Sequence, residues 1–185
     1  MKAFFVSIDG VDGCGKSTQI ELLTRWFEQL GQPVVSVRDP GGTRLGESLR
    51  EILLQRVEIP LSVTSEMLMY MASRSQLVEE LVVPALTAGQ HVVSDRYLLA
   101  NVVYQGSAGG LDPEVIWQVG AIATRNRLPD LTILLDIDPH VAYQRLQGNL
   151  DRMEKRGLEY MRKVREGFLV EGKRLGERLV VVNAS

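Results

Sequence analysis

The chain has 185 residues, with 21 Lys and Arg against 23 Asp and Glu, a formal net charge of -2 and 45% hydrophobic side chains. That composition describes one ordinary globular domain with a substantial core, and it lacks the basic surplus that general nucleic-acid binding requires. Cys14 is the single cysteine and cannot form an internal disulfide; no apolar run approaches a membrane span and no signal peptide precedes the first strand, so a cytoplasmic protein is expected.

Taken in order, Ala3-Phe4-Phe5-Val6-Ser7-Ile8 reads as a short buried strand and Asp9 closes it. Gly10-Val11-Asp12-Gly13-Cys14-Gly15-Lys16-Ser17 then matches G-x-x-x-x-G-K-[ST], the loop whose backbone N–H groups converge on phosphate. Lys16 reaches between terminal phosphates, the Ser17 hydroxyl suits magnesium, and Thr18 follows at the helix start. Ile20, Leu23, Phe27 and Leu30 recur at helical spacing until Gly31, so the loop stands between a strand and a helix whose positive dipole end adds to the anion site.

Val34-Val35-Ser36-Val37 is a second strand, and it runs into the turn-rich Arg38-Asp39-Pro40-Gly41-Gly42-Thr43. A helix is expected over 45–54 and a longer helical pattern from Thr64, with Pro84 marking a kink or restart before Gly89. His91-Val92-Val93-Ser94 is a third strand, closed by Asp95-Arg96-Tyr97; Asp112-Pro113 opens a helix toward Asn126. The apolar run 131–137 suits a strand buried on both faces, Asp138-Pro139 opens the next helix, 149–178 is charged and helical, and Leu179-Val180-Val181-Val182 is a last strand. The alternation predicts an α/β, three-layer P-loop NTPase fold: a five-stranded parallel sheet with helices on both faces, in one domain covering 1–185.

Ligands of such sheets sit at the carboxyl ends of the strands, and the polar clusters fall there: Asp9 and the loop, Arg38 and Asp39, Asp95 and Arg96, then Asn183-Ala184-Ser185. Carboxylates and cations converging on one edge suit phosphoryl transfer, in which the protein positions groups and neutralises charge. Two classes compete: a small-molecule kinase, with a second anionic site, and a switch GTPase or motor ATPase. The guanine-reading N-K-x-D and the switch D-x-x-G are absent, and Arg38, Arg74 and Arg96 stand where a second phosphate would be held, which favours a kinase.

At this point the chain resembles thymidylate kinases, which phosphorylate dTMP to dTDP with ATP. The pieces that carry the resemblance are the P-loop with Asp12 inside it, Arg38-Asp39-Pro40-Gly41-Gly42-Thr43, the helix ending Tyr70-Met71-Ala72-Ser73-Arg74, Asp95-Arg96-Tyr97 with Tyr104-Gln105-Gly106, Pro129-Asp130-Leu131, Leu150-Asp151-Arg152-x-Glu154 and Asn183-Ala184-Ser185. The resemblance implies ATP and dTMP as partners, Mg2+ with ATP, no nucleic acid, no membrane, and a homodimer. It implies that Lys16, Arg96, Asp95 and a lid arginine, Arg152, act in catalysis, and that Ser17, Asp95 and Asp9 hold the metal. Arg38 is the expected acceptor-phosphate clamp, Tyr70 the stacking partner of the base, Arg74 a donor to a base carbonyl, Asn101 and Gln105 the readers of the base edge, and Asp12 the acceptor of the sugar 3′-hydroxyl. Another P-loop nucleotide or deoxynucleoside kinase is the alternative.

Each of these residues also has a plainer reading. Tyr70 with Met67 and Met71 fits a core face, Arg74 alone fits a solvated charge, and Asp39 fits a turn beside Pro40. The chain also departs from the family pattern. Asp39 replaces the usual glutamate, Ala100 a common serine, and Gly13 stands where one subgroup has arginine. A short mobile lid is expected at about 146–156 without an arginine-rich run, with Arg145, Lys155 or Arg156 as alternatives to Arg152, and the family's C-terminal helix is expected to be missing.

Overall fold

A computed structural model of the chain describes residues 3–56, 58–146, 153 and 156–185. Its centre is a five-stranded, wholly parallel sheet in the order β2-β3-β1-β4-β5. The strands are β1 (Phe5–Asp9), β2 (Val34–Arg38), β3 (His91–Asp95), β4 (Leu131–Asp136) and β5 (Leu179–Asn183). Central β1 is buried along its whole length, Ser7 and Asp9 included, because strands and helices cover it on every side, whereas edge strand β5 is largely exposed.

Register places the chemistry. Ile8 pairs with Asp95 and Arg38 with Asp95, while Asp9 pairs with Leu134, so the carboxyl ends of β1, β2 and β3 come level and open onto one rim. Helix α1 (Lys16–Gln29) leaves the phosphate loop, and α2 (Arg44–Arg50), α3 (Val63–Leu77) and α4 (Val83–Thr87) connect β2 to β3. Pro84 sits in the first turn of α4, which follows α3 without a break through a π-helical turn over Val78–Val82, so the helix runs on through the proline where a kink or restart is expected from sequence. After β3 come α5 (Leu98–Asn101), α6 (Pro113–Ala123), α7 (Pro139–Arg145) and α8 (Gly157–Glu171).

Three departures from the sequence reading have physical causes. The segment between Tyr97 and Asp112, which shows no helical periodicity, forms α5 and then π-helical turns over Val102–Ser107. Every residue from 98 to 106 is buried, and a helix that is surrounded on all sides has no polar face to generate a period. The charged stretch expected to be helical to Arg178 changes at Gly172 to a tighter 3-10 segment, broken at Gly176 with φ 57 and ψ -129. Helix α2 ends at Arg50 and widens into a π-helical turn over Glu51–Gln55 in place of one helix over 45–54.

Candidate active site

Helix α1 starts at Gly15, whose φ of 98 lies in the left-handed region, and no side chain caps it. By contrast Thr43, Ser62, Asp112 and Asp138 each accept a hydrogen bond from the backbone at the start of α2, α3, α6 and α7. The first N–H groups of α1 have no side-chain partner and Gly15, Lys16, Ser17 and Thr18 line the cleft, an arrangement that suits an anion. No side chain fits at Gly13: its φ is 81, and a Cβ would lie 2.3 Å from the Ala142 carbonyl oxygen of α7.

Lys16 folds back over the loop, donating to the carbonyls of Val11 at 2.9 Å and Gly10 at 3.2 Å, with the Asp12 carboxylate 3.7 Å away. It lies in a cleft of about 630 Å³ whose walls include Gly13, Gly15, Ser17, Thr18, Arg38 and Asp95. Arg145, one of the alternative lid cations, also lines this cleft and donates to the Ala184 carbonyl at 3.3 Å. Arg152 lies outside the described residues, as does most of the lid segment with its expected mobility.

Arg96 occupies a backbone conformation uncommon for a non-glycine residue, φ 66. Ser94 Oγ donates to its carbonyl at 2.6 Å, the guanidinium donates to the Gly10 carbonyl and pairs with Asp12, and the Tyr104 ring lies 4.9 Å beneath it. Tyr104 in turn donates its hydroxyl to Asp12 at 3.1 Å. Burial pushes the Asp12 carboxyl up, but Arg96 and Lys16 together overcome it and hold the group below the usual range.

A second cavity adjoins the first and shares Asp12, Asp39, Arg50 and Arg96 as its wall. Its remaining lining includes Tyr70, Arg74, Ala100, Asn101, Tyr104 and Gln105. Thus the structure brings Tyr70, Arg74, Asn101 and Gln105 to one pocket and puts Arg38 in the phosphate cleft beside it. Arg74 is not a solvated charge: it is 1% exposed, donating Nε to Asp39 at 2.5 Å and Nη1 to Asn101 at 2.9 Å. Asp39 is therefore more than a turn residue. Arg38 donates to both oxygens of Glu47 at 3.0 Å and is half exposed.

Sequence reasoning missed two residues here. Arg50 lines both cavities, anchored by donation to the Pro40 carbonyl at 2.9 Å. Glu66, 2% exposed, receives Gln105 Nε2 at 2.8 Å and Arg156 at 3.1 Å. The signal was its spacing: 66, 70 and 74 fall four apart, on one face of α3. Arg156, an alternative lid cation by sequence, is instead engaged with Glu66 and lies outside the lining of the phosphate cleft.

Buried carboxylate oxygens without a donor mark a place for a cation. Both oxygens of Asp9, Oδ1 of Asp39 and Oδ1 of Asp95 accept no hydrogen bond among the described residues, and Ser7, near Asp9, has its hydroxyl 3.0 Å from that of Thr132. No cluster of three or more His, Cys, Asp or Glu forms among the described residues, so one or two carboxylates with Ser17 fit an ion that keeps water and phosphate ligands, as magnesium does. Asp95 lines the cleft, whereas Asp9 stands behind it, fully buried.

Burial raises the Asp9 carboxyl from 3.8 to about 6, against the opposing pull of Arg96 and Lys16. The folded state thus holds this proton over a range in which the unfolded chain has released it. Stability falls as pH rises from about 4 to 6 and is level above, a loss of roughly 3 kcal/mol for this shift. In metal-free buffer Asp9→Asn is therefore expected to be more stable than the wild type by roughly 2–3 kcal/mol at pH 7.5, with a smaller advantage at pH 5. Urea unfolding at the two pH values checks this, and an equal difference at both would contradict it.

Comparison with known proteins agrees with this architecture. The thymidylate kinase family profile matches residues 8–185. The thymidylate kinase of Caldanaerobacter subterraneus subsp. tengcongensis is 46% identical over 184 residues, 99% of this chain and 88% of that protein. That of Rhodopirellula baltica is 44% identical over 180 residues, 97% of this chain and 73% of the relative. The crystal structure of thymidylate kinase from Ehrlichia chaffeensis superposes with a TM-score of 0.82 at 29% identity, covering 98% of this chain and 93% of that one. With an uncapped phosphate loop and a second polar pocket meeting at Arg96, the chain belongs to the thymidylate kinase family.

Proposed function

We propose that the protein transfers the γ-phosphoryl group of ATP to dTMP, giving dTDP and ADP. The observation that carries this reading is the shared wall: a phosphate-loop cleft and a second pocket lined by polar side chains meet at Asp12, Asp39, Arg50 and Arg96. ATP phosphates occupy the loop and Lys16, dTMP occupies the pocket of Tyr70 and Arg74, and the two phosphate ends face each other at Arg96. Magnesium, when bound through Ser17 and Asp95 with Asp9 behind them, supplies positive charge to the terminal phosphates.

The chain's own residues do the rest. Lys16 leaves the Gly10 and Val11 carbonyls for the nucleotide, and Arg96 keeps its guanidinium at the junction because Asp12, Gly10 and Tyr104 hold it there. Arg38 and Arg50 hold the acceptor phosphate from the other side, Arg38 as a planar fork already set by Glu47. Asp12 accepts from the sugar 3′-hydroxyl. Tyr70 covers the base face, while Arg74 and the amides of Asn101 and Gln105 read its edge.

We also place the protein in the cytoplasm and read it as a homodimer. Met67, Met71 and Trp117 lie in the core, whereas Leu68, 50% exposed, and Val115, 47% exposed, face outward with Ile122. No helix among the described residues is long and apolar enough to cross a membrane.

The test is a panel of acceptors, dTMP, UMP, dCMP and thymidine, assayed with ATP and magnesium. We expect dTMP to give the highest kcat/KM, with thymidine poorest because Arg38 and Arg50 have no phosphate to hold. Equal rates for dTMP and UMP, or a preference for thymidine, would overturn the reading.

A further inference from the structure

We propose that Glu66 is a specificity-determining positioning residue: with Arg156 behind it, it fixes which way the Gln105 amide faces and so sets thymine over cytosine. The inference rests on the dTMP reading above and adds to it a residue outside the lining of the pocket.

Four side chains form a directed series of hydrogen bonds. Arg74 Nη1 donates to Asn101 Oδ1 at 2.9 Å, Asn101 Nδ2 donates to Gln105 Oε1 at 2.6 Å, and Gln105 Nε2 donates to Glu66 Oε1 at 2.8 Å. A guanidinium can only donate and a carboxylate can only accept, whereas an amide does either according to which way it is turned. The two ends therefore impose one direction on both amides. Reversing either would set two N–H groups or two oxygens against each other inside the protein.

The consequence reaches the pocket. Arg74, Asn101 and Gln105 all line it, so a donor-only group stands beside amide oxygens that each keep a second lone pair. Thymine offers a carbonyl oxygen next to an N3–H, an acceptor followed by a donor, which matches. Cytosine offers an amino group next to a bare N3, the reverse order, which does not.

Glu66 serves two donors at once, which is why the carboxylate is needed. Oε1 takes Gln105 at 2.8 Å, Oε2 takes Arg156 at 3.1 Å with the same nitrogen 3.4 Å from Oε1, and Arg156 is further held by donation to the Tyr160 hydroxyl at 3.0 Å and by the Tyr160 ring 4.8 Å away. Glu66→Gln keeps the shape but leaves one oxygen. Arg156 is the charged donor, lies nearer Oε2 than Oε1 and outcompetes the neutral Gln105 amide for that oxygen, so the new amide turns its N–H groups to Gln105, and Gln105 must reverse to meet them.

The experiment compares kcat/KM for dTMP and dCMP in the whole enzyme. For E66Q we expect the dTMP-to-dCMP ratio to fall about tenfold or more, with KM for dTMP rising several times more than kcat falls. Adding Arg156→Met should restore most of the ratio, because the single oxygen of Gln at 66 is then free to turn back to Gln105. A residue that only supports the fold would give no such rescue. An unchanged ratio in E66Q, or a double variant no more selective than E66Q, overturns the proposal.

A measurement on the wild type covers the case in which E66Q does not fold. By NMR, the Gln105 side-chain NH2 should exchange slowly and show contact with Glu66; an NH2 facing Asn101 instead overturns the proposal. If the wild type itself prefers dCMP or shows no preference, the dTMP reading has failed. If it prefers dTMP while E66Q is equally selective, only the role of Glu66 has failed.

Discussion

Replacing Arg96 with alanine is expected to lower kcat by about three orders of magnitude, the scale of effect seen when an arginine aimed at a transferring phosphoryl group is removed. Arg96 is the one described guanidinium that lines both cavities while touching the phosphate loop itself, through the Gly10 carbonyl and Asp12. Burial would lower its pKa, but Asp12, with Tyr104 and Asp95, more than offsets this and holds the positive charge in place at any working pH. The loss is double: the cation shared by the two cavities goes, and the partly exposed Asp12 loses its closest cationic partner.

Stability can be separated from catalysis at this position because of its backbone. With φ at 66, alanine inherits the strained conformation, whereas glycine relieves it. Arg96→Gly should therefore be as inactive as the alanine variant and melt no lower than it. Steady-state kinetics with thermal unfolding of both variants checks this; a kcat within fivefold of wild type in either one would remove Arg96 from the transfer step.

The second large effect concerns stability. Asp39→Ala is expected to destabilise the protein by about 3–5 kcal/mol, a large share of what an ordinary domain has. It leaves the guanidinium of Arg74, 1% exposed, with no carboxylate at Nε, where Asp39 now sits at 2.5 Å. Burial raises the Asp39 carboxyl above its usual value even against Arg74, so the pair is expensive to form and the damage comes from breaking it on one side. The double variant Asp39→Ala, Arg74→Met should regain much of the loss. Denaturant unfolding of the single and double variants decides; a single variant within 1 kcal/mol of wild type would contradict the account.

Much of the fold was legible because a parallel sheet writes its strands as unbroken apolar runs. 131–137 and 179–182 were recognisable for that reason, as were the N-cap pairs Asp112-Pro113 and Asp138-Pro139. The phosphate loop was legible because its chemistry is local: the glycines, Lys16 and Ser17 are neighbours in the chain. What could not be read was long-range. Asp39 and Arg74 are 35 residues apart, Gln105 and Glu66 are 39 apart, and Arg156 lies 90 from Glu66, so nothing local tells a buried ion pair from solvated charges. The helix after Tyr97 was silent for the opposite reason, being buried on every side and so without a pattern. The left-handed backbone of Arg96 left no trace because arginine is not a residue that announces such a turn.

Phosphoryl transfer here requires that the two cavities hold donor and acceptor end to end at Arg96. The most direct test is to follow the γ-phosphoryl group with wild-type enzyme, ATP, magnesium and dTMP. The account predicts ADP and dTDP in equal amounts, with little free phosphate and little ATP consumed when dTMP is left out. Free phosphate released at the same rate with and without dTMP would contradict it.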